Sequence, residues 1–97
     1  MTTTQLRSYQ LSADRDEQDR WLAWWDNVRV LRERHGFRVV CAVIDPDRGV
    51  FTWIVEHDGD FIAAEQAMMA SPERAAIFAL SRPPNSIIQT AVVHRVS

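Results

Sequence analysis

The chain has 97 residues, 46% of them hydrophobic, with 13 acidic residues against 11 basic ones and a net charge of −2. That length predicts one domain, residues 1–97, able to bury roughly two-thirds of the surface of its unfolded chain. The charge balance gives no electrostatic case for nucleic acid or an anionic membrane surface as a partner. The single cysteine, Cys41, excludes an intrachain disulfide and has no metal-ligand spacing with any histidine. A reducing cytoplasm is therefore the expected compartment, with no metal or other cofactor. No apolar run approaches the ~20 residues of a membrane helix, and the opening MTTTQLRSYQ lacks the basic and apolar regions of a signal peptide.

Gln5–Leu11 reads as a first strand, with Leu6 on one face and Tyr9 and Leu11 on the other. Ser12 or Asp14 starts a helix that runs to about His35. Its first turns are acidic (Asp14, Asp16, Glu17, Asp19) and its last turns basic (Arg29, Arg32, Arg34, His35), the polarity that suits the helix dipole. Gly36 is placed to end it in the left-handed conformation, with Phe37 supplying the accompanying contact. Trp21, Trp24, Trp25, Val28 and Leu31 share one arc at 100° per residue, so this helix is the expected main cover of the sheet.

The central stretch is a hairpin. Two β-prone runs, Phe37–Ile44 and Val50–His57, flank Asp45-Pro46-Asp47-Arg48-Gly49, where proline presets φ, aspartate bonds nearby backbone and glycine tolerates φ > 0. Both runs are apolar on both faces, so both faces call for cover. Asp58-Gly59-Asp60 breaks the strand and Asp60 caps a second helix, Phe61 to about Ala70. Ser71-Pro72-Glu73 restarts a helical segment that ends near Leu80. Ile87–Val96 is the last strand.

The order βαββαβ predicts an α+β, ferredoxin-like fold: a four-stranded antiparallel sheet with two helices on one face. The other face is too apolar for water, and no segment remains to cover it. A second copy packed sheet to sheet about a two-fold axis is the expected solution, giving a homodimer with a barrel-like core.

Several short segments match a known family in order. Leu6-Arg7-Ser8-Tyr9-Gln10-Leu11 resembles the LRxYxL first strand of the NIPSNAP family. His35-Gly36-Phe37, Phe51-Thr52-Trp53-Ile54-Val55 and Ala70-Ser71-Pro72-Glu73-Arg74 resemble its later landmarks. The resemblance spans nearly the whole chain and implies the dimeric α+β barrel superfamily, hence a homodimer. It carries over no catalytic set. Other branches of the superfamily are cofactor-independent monooxygenases of aromatic polyketides and haem-degrading monooxygenases. The haem-degrading kind uses a histidine near the second helix and an asparagine on the first strand; this chain has neither there.

Among polar residues, Glu65 projects inside the arc of Phe61, Ile62, Ala64, Met68 and Met69. A carboxylate there suits proton transfer in a pocket, or equally an ion pair with an arginine. His57 and His94 are the other candidate acid–base groups, each also readable as a hydrogen-bonded core histidine. Arg7 and Tyr9 on the first strand, with Trp21, Trp24, Trp25 and Trp53, are candidates to hold a planar ligand; the indoles read equally well as core. Three functions follow: binding of a small apolar or aromatic molecule between helices and sheet, a cofactor-independent monooxygenase or isomerase using that cavity, and a non-catalytic dimer module.

Overall fold

The computed structural model describes all 97 residues, in the order β1 (Thr3–Gln10), α1 (Arg15–Arg34), β2 (Arg38–Asp45), β3 (Val50–His57), α2 (Phe61–Met69), α3 (Pro72–Ala79), β4 (Ser86–Val93). The strands form one antiparallel sheet in the order β2-β3-β1-β4, compatible with the ferredoxin-like arrangement.

Local chemistry sets each boundary. Asp14 caps α1 by accepting from the Glu17 amide at 3.0 Å. At its other end Gly36 takes φ +85°, the Gly36 amide donates to Glu33 O (3.1 Å) and the Phe37 amide donates to Arg32 O (3.0 Å), the paired bonds of a Schellman motif. The hairpin turn needs Gly49 for two reasons. Its φ is +68°, and an added Cβ would lie 2.8 Å from Leu11 O. The buried Gln18 side chain donates to Ser12 O and Pro46 O, tying the start of α1 to that turn.

The helical segment expected to restart at Ser71-Pro72-Glu73 is a helix of its own, so the sheet carries three helices where the βαββαβ order gave two. Ser71 adopts an extended backbone (φ −74°, ψ 146°) and Pro72 occupies the first turn of α3. The residue before a proline avoids the α region and proline has no amide to donate, so α2 cannot run on into α3.

Tyr9 pairs with Phe51, Arg7 with Trp53 and Gln5 with Val55, and this face lies under the helices. The core is aromatic: Trp25 meets Phe51 at 4.9 Å and Trp53 at 5.3 Å between ring centres, and Phe37 meets Phe61 at 5.1 Å, all edge to face. The thinnest dimension is 17 Å, a helical layer on a sheet with nothing on the sheet's far side.

That far side mixes apolar and polar side chains. A bulge at Val40 resets β2, so that Val39, Ala42 and Ile44 share the helix side while Cys41 and Val43 face away. The uncovered face then carries Leu6, Ile54, Ala91, Val93, Cys41 and Val43. It also carries a Ser8–Thr52 hydroxyl pair at 2.9 Å and the buried Glu56, which accepts from Thr4 Oγ1 at 2.8 Å. The last strand stops at Val93, so His94 lies beyond the sheet rather than within β4.

Candidate functional site: an arginine-rich aromatic cavity

A cavity of about 420 Å³ lies between α1, the α2–α3 pair and strands β1, β3 and β4. Its volume falls within the usual range of small-molecule sites, about 300–1,000 Å³. The floor is aromatic because α1 turns Trp21, Trp24, Trp25, Val28 and Leu31 toward the sheet at three- and four-residue intervals. The sheet contributes Arg7, Tyr9 and Trp53. Glu65, Met68 and Met69 descend from α2, Arg74 and Phe78 from α3, Arg82 and Asn85 from the approach to β4, and Ile87 from β4 itself.

Five charged side chains line this space, four arginines and Glu65. They form two groups. In the first, the Schellman turn sets Arg32 against Phe37, its guanidinium carbon 4.9 Å from that ring centre and 5.5 Å from that of Trp53. Arg32 Nη1 donates to Glu65 Oε2 at 3.0 Å. Arg7 Nη1 lies 3.9 Å from the same oxygen, and Arg7 also donates to Tyr9 Oη (2.9 Å) and Gln5 Oε1 (3.0 Å). Burial lowers the pKa of the Arg32 guanidinium, and Glu65 opposes that shift.

In the second group, Arg82 sits 4.2 Å from the Trp24 ring centre and 5.2 Å from that of Phe78, while Arg74 sits 4.0 Å from Phe78. Neither Arg74 nor Arg82 reaches a carboxylate; the only side-chain bond of either is a long 3.4 Å contact from Arg82 to Phe78 O. Trp24 Nε1 donates to Ile77 O at 2.9 Å and Trp21 Nε1 to Asn85 Oδ1 at 3.1 Å, fixing both indoles. Trp25 Nε1, Trp53 Nε1 and Arg32 Nε are buried donors without an acceptor, all on residues that line the cavity.

The candidates named from sequence divide cleanly. Arg7, Tyr9, Trp21, Trp24, Trp25, Trp53 and Glu65 converge on the cavity. The two histidines do not. His57 packs on Phe37 at 4.9 Å and its Nδ1 accepts from the Gly59 amide. His94 lies at the far end of the sheet in a shallow depression with Arg38, Glu56 and Arg95. Neither histidine shares the cavity with Glu65.

Arg32, Arg74, Phe78 and Arg82 were missed. The signal was present: Arg32 continues the 21-25-28 stripe of α1, and Arg74, Phe78 and Arg82 recur every four residues. Glu56 was missed as well. It accepts from Thr4, Arg38 (3.2 Å) and Arg95 (3.0 and 3.3 Å), and these bonds, the Thr4 hydroxyl foremost, hold its carboxyl below the usual range.

No group of three or more His, Cys, Asp or Glu side chains comes together as a metal site, and no helix is long and apolar enough to cross a membrane. No protein-family model matches the chain, and no curated protein matches it.

Proposed function

We propose that this chain is a NIPSNAP-like protein of the dimeric α+β barrel type that binds a small apolar or aromatic molecule between its sheet and its helices. The observation that carries this reading is the cavity itself: a hollow of about 420 Å³ whose walls are mostly hydrophobic side chains, four of them indoles, open at one side of a packed core. Protein interiors close such spaces where they can, because an unfilled void forfeits dispersion contacts. Binding is favoured over catalysis because the one carboxylate present, Glu65, is already paired with Arg32, and both candidate imidazoles lie elsewhere.

The dimer half of the reading rests on the uncovered sheet face. Leu6, Ile54, Val43 and Val93 lie there, while the Ser8, Thr52, Thr4 and Glu56 side chains are already bonded within the protomer. Burying these polar groups against a second copy would orphan none of them. A two-fold axis makes the patch self-complementary.

Two measurements test the reading. A titration of planar aromatic compounds should change the fluorescence of the cavity tryptophans and raise the thermal midpoint; a flat response across one- to three-ring compounds overturns the binding function. Sedimentation equilibrium should give twice the chain mass at micromolar concentration; a monomer there overturns the barrel dimer.

A further inference from the structure

The cavity is not electrically neutral, and the imbalance is local. Glu65 answers Arg32 and lies near Arg7, but Arg74 and Arg82 have no acidic partner. Both guanidinium carbons lie over rings: Arg74 over Phe78, Arg82 over Trp24 and Phe78. The rings hold the two side chains in place and their N–H donors lack strong acceptors, since the only bond among them is the 3.4 Å contact to Phe78 O.

We propose that the ligand is a planar aromatic carboxylate, its ring lying among the indoles and its carboxylate taken by Arg74 and Arg82. The proposal rests on the reading of the cavity as a ligand site and adds the charge and shape of the occupant. A carboxylate is flat and coplanar with the ring that bears it, so it can meet a guanidinium edge to edge through paired N–H···O bonds. A tetrahedral phosphate would project out of that plane. The carboxylate also supplies the counter-charge that two partly buried cations lack, and charge-assisted bonds are about twice as strong as neutral ones.

The test is calorimetric titration of the intact protein with naphthalene carboxylate and with its neutral isostere, naphthalene carboxamide. The carboxylate is expected to bind about tenfold tighter or better at low salt. Raising the salt should narrow the gap. In the Arg74→Gln/Arg82→Gln double variant the preference is expected to vanish while affinity for the carboxamide is retained. Equal binding of the two compounds to the unaltered protein overturns the anionic ligand and leaves the aromatic cavity standing. A preference that survives in the double variant overturns the role of Arg74 and Arg82. Binding of neither compound overturns this proposal, and a flat response to the wider aromatic series overturns the cavity reading beneath it. The comparison of the two compounds needs no variant, so a folding defect in the double variant does not blunt it.

Discussion

The layer between helices and sheet is closed at one end and hollow at the other, although aromatic rings line both. At the closed end Phe37, Val55 and Phe61 are buried, Val55 completely. At the hollow end Trp24 and Phe78 meet edge to face at 5.2 Å, yet Ile87 beside them is 64% exposed. The difference lies in what covers each end. The 20-residue α1 delivers an unbroken stripe of large side chains, whereas α2 and α3 are pieces of nine and eight residues separated by Ala70-Ser71, with Pro72 opening α3. A broken helix cannot lay a continuous ridge into the sheet. The open end follows from the break at Ser71-Pro72, and the aromatic rings there border that space as well as each other.

The comparison can be broken by truncating one ring at each end. Phe37→Ala, in the closed part, should cost about 3–5 kcal/mol in urea unfolding. Phe78→Ala, at the hollow end, should cost only about 1 kcal/mol, because its removal enlarges a space that is already open. Equal losses would mean that the two ends are packed alike. Between these extremes lies Glu65→Gln, expected to cost about 2 kcal/mol because it strips the buried Arg32 of its counter-charge. The double variant Arg32→Met/Glu65→Gln should regain much of that loss, since the buried guanidinium that needed the counter-charge is then gone as well.

The smallest effect concerns the opposite face of the sheet. Thr4, Arg38 and Arg95 hold Glu56 below the ordinary carboxyl value of 4.5, and Arg38 with Thr2 holds Asp58 below 3.8. A depressed carboxyl stabilises the fold above its unfolded pKa, and the contribution is lost as the pH falls through the folded value. Urea midpoints taken from about pH 7 down to about pH 3 should therefore decline, and Glu56→Gln should flatten that decline. An identical acid profile in the variant would remove Glu56 from the account.

Element types and most boundaries were readable in the chain because they depend on neighbours in sequence. Asp14, Asp60 and Ser71 cap the helices they precede, Gly36 and Gly49 take positive φ, and Val50–His57 is a strand over those same residues. The aromatic arc of α1 likewise points inward as its spacing requires. Alternation failed where a bulge intervened: Val40 shifts the faces of β2, and an extra residue at Ile88 shifts β4. Neither bulge carries a glycine or proline that would mark it.

Sequence alone determined that α1 would bury its indoles, because periodicity fixes direction once a helix exists, and it placed Glu65 within the arc of α2 while leaving open whether the carboxylate met a pocket, water or an arginine. Only the tertiary structure decided which charges meet. Arg32 reaches Glu65 across 33 positions of chain, Arg95 reaches Glu56 across 39, and Arg74 and Arg82 are left without an acid. Pairing over such distances depends on how far apart the layers come to rest, and no local rule encodes that spacing.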